Sequence, residues 1–292
     1  MSLRIGFIGS GGDFSLLPFQ YLRTSEYHLA MIGVNGITPQ LNSDPRLQVV
    51  QSQGENVQSL AAQANIPLLD FRLPMEQLIS LLTEFRLDLI IVACYNKKIP
   101  QSILSIPKHG FLNIHPSLLP AYRGPVPLFW EFQNGRSEYG ISLHKMDADF
   151  DTGAIVSQKV ISFADGVNHF QANEQLGKLA CDLLADYLTA LENNTDMEIR
   201  QQAANSSYMS YPKEKDFLVN NQWSAQRIYN FICATLHWGQ SYPCQVDKQT
   251  FRLKDVISYE SEENSEMKGN YSLAGKVITI KCRPGILKAR LE

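Results

Sequence analysis

The first half of the chain alternates short, continuously apolar runs with segments of helical period. Residues 4–9 read as a buried strand that ends in the Ser10-Gly11-Gly12 turn, residues 14–24 as a helix and residues 28–34 as a second strand. Residues 55–65 have helical spacing and stop before Ile66-Pro67, because proline disfavours α geometry in the residue before it. Residues 75–85 read as a further helix, and 87–93 as the strongest strand in the chain. Apolar strands separated by helices predict a mostly parallel sheet covered on both faces, a doubly wound, Rossmann-like α/β fold. Shorter strands follow at 110–114, 140–145 and 154–161. Residues 174–191 form a long amphipathic helix with Leu176, Leu179, Ala180, Leu183, Leu184, Tyr187 and Leu188 on one face.

The pattern then changes. The polar stretches 193–196 and 201–207 mark a linker. Beyond it come a helix at 224–235 and strand-like runs at 242–246, 251–258, 276–282 and 285–291, separated by turns. These predict a small, mostly β, barrel-like unit, kept short because the chain stops soon after the last strand. The expected division is a domain of residues 1–205, linker included, and a second of residues 206–292.

Composition narrows the function classes. With 292 residues, 44% apolar, 19% charged and a net charge of −3, the chain is an ordinary globular sequence rather than a disordered or uniformly basic one. No apolar run reaches 18 residues, and the first strand is too short for a signal-peptide core, so neither a membrane span nor secretion is expected. Five scattered cysteines with no Cys-x-x-Cys pair argue against a zinc ribbon and a disulfide framework and favour a reduced, cytoplasmic setting. Charge is uneven. Residues 201–292 carry 12 Lys and Arg against 9 Asp and Glu, and residues 1–200 carry 14 against 20. Lys276, Lys281, Arg283, Lys288 and Arg290 crowd the last 17 positions.

The Gly9-Ser-Gly11-Gly12 loop does not complete Gly-x-Gly-x-x-Gly, since Asp13 and Phe14 follow. The second strand ends in Gly33-Val-Asn-Gly36, with no acidic residue for a ribose hydroxyl. A nicotinamide or flavin cofactor is therefore disfavoured, and the glycines are read as a tight strand-to-helix turn beside an acceptor substrate.

Candidate chemistry concentrates in residues 111–124, Phe-Leu-Asn113-Ile-His115-Pro-Ser117-Leu118-Leu119-Pro120-Ala-Tyr-Arg123-Gly, and in Asp147 to Gly153. Asn113 and His115 are two apart in a strand and project to one face, at the strand end where open α/β sheets bind ligands. The apolar, irregular loop after Pro116 suits a flat aromatic ligand better than a phosphate. His144 with Asp147 or Asp149 could be metal ligands, but nothing else clusters with them, and no metal is expected. Arg123 suits either a substrate anion or a structural ion pair.

These segments resemble the formyltransferases that use 10-formyltetrahydrofolate, most closely the branch acting on methionyl-tRNA, with the glycinamide ribonucleotide and sugar-amine branches as cousins. The hallmark is Asn-x-His-Pro-Ser-Leu-Leu-Pro, followed about 36 residues after the His by the Asp of Asp-x-Gly. His115 and Asp151 have that spacing. The resemblance is dense over residues 87–160. It implies a catalytic trio of Asn113, His115 and Asp151. It also implies a folate site bordered by Ser117, Leu118, Leu119 and Pro120, with the loop from Asp147 to Asp151 against the pterin.

The chemistry fits. Attack of an amine on a formyl carbon develops an oxyanion, and fixed donors from Asn113 and a protonated His115 would each lower the barrier by ~3 kcal/mol in a dry site. Asp151 is expected to hold the imidazole protonated near neutral pH and to accept the proton shed by the amine.

The acceptor is less legible. The tRNA branch carries a basic insertion after the second strand, whereas residues 35–46 here hold one arginine and no lysine. Residues 211–245 resemble the start of that branch's C-terminal barrel, and the 276–290 cluster could meet phosphates or could be solvated edge-strand lysines. The acceptor expected is the amine of methionyl-tRNA, with a sugar-nucleotide amine as the alternative. Hydrolysis of the formyl donor and a non-catalytic folate-binding role are further alternatives.

Overall fold

The structure, a computed structural model, describes residues 2–35, 56–195, 198–262 and 267–292. Strands β1 (Arg4–Ile8), β2 (His28–Val34), β3 (Leu68–Asp70), β4 (Leu89–Ala93), β5 (Phe111–His115), β6 (Tyr139–Lys145) and β7 (Ile155–Ile161) form one sheet in the order β3-β2-β1-β4-β5-β6-β7. The first five run parallel, and β6 and β7 are antiparallel. The doubly wound, mostly parallel sheet expected from the sequence is present.

The continuous apolar character of β4 has a direct cause. Leu89, Ile91 and Ala93 enter a core with helices α1 (Asp13–Thr24), α2 (Val57–Gln63) and α6 (His169–Glu192). Ile90 and Val92 enter the opposite core with α3 (Met75–Phe85) and α4 (Gln101–Leu104). Capping sets two helix starts. Asn56 and Ser59 form a reciprocal box at α2, within the predicted span whose first residue, Glu55, lies outside the described residues. Asn168 and Gln171 do the same for α6, which therefore begins at His169 rather than at 174.

A second, mostly β unit follows, as expected. Strands β8 (Val219–Asn220), β9 (Tyr242–Val246), β10 (Gln249–Glu260), β11 (Tyr271–Ala274), β12 (Val277–Lys281) and β13 (Ile286–Leu291) are ordered β11-β12-β13-β10-β9-β8. Register irregularities in β10 strengthen its local twist. Helix α7 (Ala225–Thr235), capped by Ser224, lies on this sheet. Its apolar face meets helix α5 (Pro127–Gln133), whose Phe129 makes edge contacts with Phe217, Phe231 and Trp238. Phe129, Phe132 and Tyr139 thus share one core with Phe231, Tyr242 and Leu253. No helix among the described residues is long and apolar enough to cross a membrane.

Candidate active site

Strand β5 gives its apolar residues Leu112 and Ile114 to the core under α6, which turns Asn113 and His115 to the opposite face. The antiparallel neighbour β6 pairs His144 with Asn113 and Ser142 with His115. Four polar side chains therefore share one face at the carboxyl end of β5, where the sheet changes from parallel to antiparallel.

Asp151 joins them from the loop after β6. Its Oδ1 lies 3.2 Å from Asn113 Nδ2, 3.6 Å from His115 Nδ1 and 3.5 Å from His144 Nε2, and its Oδ2 accepts the Gly124 amide at 2.8 Å. The structure thus brings together the three residues expected to form a trio. Hydrogen bonding fixes both imidazoles. His115 Nε2 donates to the Tyr122 carbonyl at 3.0 Å. His144 Nδ1 donates to the Lys145 carbonyl at 2.7 Å, which leaves Nε2 to accept from Asn113 Nδ2 at 3.0 Å.

The electrostatics differ from the sequence expectation. Burial lowers the His115 pKa below its ordinary value, and neighbouring Asp151 offsets this only in part. The carboxylate therefore does not hold His115 protonated near neutral pH, because the ring is almost wholly out of water and charging it there is costly. For Asp151, burial alone would raise the pKa. The two imidazoles beside it and the Gly124 amide it accepts together bring it below the usual carboxylate range. Such a group is a poor proton acceptor and a strong fixed negative charge.

The loop after β5 is held by groups the sequence did not single out. Ser142 Oγ, fully buried, donates to the Ser117 carbonyl at 2.6 Å and accepts from Leu119 N at 3.0 Å and Gln158 Nε2 at 2.7 Å. Ser117 Oγ closes the turn on the Ala121 carbonyl. Leu119 is buried, Leu118 and Pro120 are half-buried, and Leu118 lies so close over Gly140 that a Cβ there would come within 2.3 Å of it. Ser142→Ala strands the Leu119 N–H and is expected to cost about 2 kcal/mol of stability, measurable by denaturant unfolding.

Asp147 is exposed, and its carboxylate binds Thr152 Oγ1 and Asp149 N, shaping its own loop rather than joining the trio. That loop is tied to the β4–α4 connection by Lys98 on Asp149 at 2.9 Å. Arg123 gives its guanidinium to Gln201. Among the described residues no group of three or more His, Cys, Asp and Glu is placed to hold a metal ion. His144, weighed from the sequence only as a metal ligand, sits in the cluster. The strand alternation that pairs it with Ser142 was the available signal.

The fold and this cluster define an α/β enzyme of group-transfer type. Residues 34–184 match the sequence profile described as Formyl transferase, and the chain belongs to that family of enzymes, which transfer formyl groups. It is 31% identical over 201 residues to the methionyl-tRNA formyltransferase of Geobacter metallireducens, a match covering 68% of this chain and 64% of that protein. It is 29% identical over 240 residues to the methionyl-tRNA formyltransferase of Thermodesulfovibrio yellowstonii, covering 82% and 76%. Among solved structures, the N-formyltransferase from Helicobacter canadensis in complex with folinic acid and dTDP-3-aminofucose superposes with a TM-score of 0.68 at 16% identity, covering 99% of each chain. At that identity the likeness speaks for the fold.

Proposed function

We propose that the chain transfers the formyl group of 10-formyltetrahydrofolate to the amino group of methionyl-tRNA. Asn113, His115 and Asp151 carry the chemistry, Ser117 to Pro120 and Asp147 border the folate, and residues 206–292, packed on the first unit through a shared core, serve the acceptor side. The observation that carries the reading is the convergence of an amide, a buried neutral imidazole and an ionised carboxylate within 3.6 Å at the end of β5. As the amine attacks, the second hydrogen of Asn113 Nδ2, now turned to Asp151, is available to the developing oxyanion. The proton leaving the amine passes to His115 and on to the departing folate nitrogen. The transient imidazolium is stabilised by Asp151 and by the Tyr122 carbonyl.

The acceptor assignment is supported by the tRNA-acting relatives and by the C-terminal basic residues. Lys281 and Arg283 border an open cleft with Asn221 and Asn270, and Lys288 and Arg290 stand on the exposed face of β13. Arg290 is paired with Asp255 at 2.7 Å. Strands β12 and β13 are interior to their sheet, so these residues do not serve as guards of a sheet edge. Of the arginine-poor stretch 35–46, residues 36–46 lie outside the described residues. A sugar-nucleotide amine is the second reading, since the Helicobacter canadensis enzyme that shares the fold is seen in complex with dTDP-3-aminofucose. Transfer assays with one formyl donor against charged initiator tRNA and a panel of amino-sugar nucleotides separate the two. For the tRNA reading, replacing Lys281 and Arg283 by alanine is expected to weaken tRNA binding and reduce the slope of log K against log salt by about 2. An unchanged slope would move the acceptor to sugars.

A further inference from the structure

The polar stretch 201–207 looks like a linker in sequence, yet it is built into the site. Ser207 takes the Tyr122 N–H on its Oγ and the Arg123 N–H on its carbonyl. Its own N–H goes to the Pro120 carbonyl, and Met209 N bonds to the Arg123 carbonyl. The segment thus lies along 120–124 like an added strand. It passes so near Gly124 (φ 114°) that a Cβ there would fall 2.1 Å from the Met209 carbonyl oxygen.

Gln201 uses its whole hydrogen-bonding capacity at this seam. Its Oε1 accepts from Arg123 Nε at 3.1 Å and Nη2 at 2.7 Å, and its Nε2 donates to the carbonyls of Asp151 at 2.9 Å and Gly153 at 2.7 Å. Asp151 is in the left-handed region at φ 56°, a conformation that a side chain bearing a Cβ adopts only when its surroundings hold it. Relaxing that backbone would swing the carboxylate away from Asn113, His115 and Gly124. The Arg123 cation polarises the Gln201 amide toward stronger donation, so the loops carrying Arg123 and Asp151 are clamped by one side chain. We infer that Gln201 is a positioning residue for formyl transfer, coupling the Arg123 loop to the Asp151 turn and so aiming the Asp151 carboxylate at Asn113 and His115. This rests on the catalytic reading of those three residues given above. The residue type matters. Glutamate would keep the Arg123 contact but set carboxylate oxygens against two carbonyls, and alanine would leave all four groups without this partner.

The test compares Gln201→Met, which keeps the side-chain length but has no amide, with Gln201→Glu, Asp151→Asn and the Gln201→Met/Asp151→Asn pair in the full chain. The first readout needs no substrate: NMR titration of His115, whose ring faces Asp151, His144 and the Tyr122 carbonyl. Loss of the aimed carboxylate lowers the His115 midpoint in Asp151→Asn, and Gln201→Met is expected to move it at least halfway to the same value. The second readout is turnover with 10-formyltetrahydrofolate and whichever acceptor the native chain uses. Gln201→Met is expected to lower kcat by ~10-fold or more with KM for the donor within ~3-fold, and to add less than ~2-fold to the loss in Asp151→Asn. Gln201→Glu should not restore kcat. An unmoved His115 titration, or losses that multiply in the pair, would overturn the positioning role. Should Asp151→Asn leave kcat intact, the catalytic reading itself fails, while the titration still reports whether Gln201 holds the carboxylate.

Discussion

Replacing His115 by alanine is expected to lower kcat for formyl transfer by at least ~100-fold while KM for 10-formyltetrahydrofolate stays within ~3-fold. The imidazole is buried and points one nitrogen at the Tyr122 carbonyl and the other at Asp151. Its interactions therefore belong to the charge that develops during transfer rather than to donor binding. The loss of one such group in a water-poor site costs about 3 kcal/mol of barrier, or two decades in rate. His115→Gln, which keeps much of the side-chain volume, guards against a collapse of the cavity being mistaken for lost chemistry. Steady-state kinetics on both variants, with thermal unfolding alongside, check the expectation. A kcat within a few-fold of the native value in either variant would remove His115 from the mechanism.

The second large effect concerns acid stability. His169, the first residue of α6, and His237, in the turn after α7, stack with ring centroids 3.7 Å apart. Burial pushes the His169 pKa down to about 4, and burial together with the His169 neighbour pushes His237 down to about 3. Nδ1 of His237 is buried with no hydrogen-bond partner. Both rings are held neutral in the fold but gain protons near pH 6.5 when unfolded. Their stabilisation is complete above that pH and is lost as pH falls toward the folded values. Between pH 7.5 and pH 4.5 the pair is expected to remove about 5 kcal/mol of stability. Urea unfolding at the two pH values measures it, and the His169→Phe/His237→Phe variant should lose markedly less over the same interval. Equal losses in both proteins would locate the acid sensitivity elsewhere.

The sheet was legible because β1, β2 and β4 are buried on both faces, a pattern that little else produces. Strand β3 was missed because three residues beside Ile66-Pro67 leave no period to read. Helix α5 was missed although proline at its first turn and apolar residues at Leu128, Phe129 and Phe132 suggested it. Asn113, His115 and Asp151 were legible through motif and spacing. His144 and Ser142 were not, because their roles arise from cross-strand register between β5 and β6, which a linear pattern does not carry. The protonation state of His115 depends on how deeply the ring is buried, a quantity set by the loops above it. Gln201 looked like spacer for a similar reason. A segment that contributes backbone pairing and one side-chain amide has the same composition as one that contributes nothing.

Phe129 lies before the polar stretch, yet it packs on Phe217, Phe231 and Trp238 beyond it, in a core that also holds Phe132 and Tyr139. A chain cut at residue 205 would lay bare Phe129, whose burial in the intact fold is worth about 2 kcal/mol, and would open the core that Phe132 and Tyr139 share. It would also lose the segment that seats Tyr122 and Arg123. Such a fragment would be adhesive and prone to aggregate, with its catalytic loop untethered. Expression screens that seek a minimal active half should keep the last 87 residues, because the boundary drawn by composition runs through an interior.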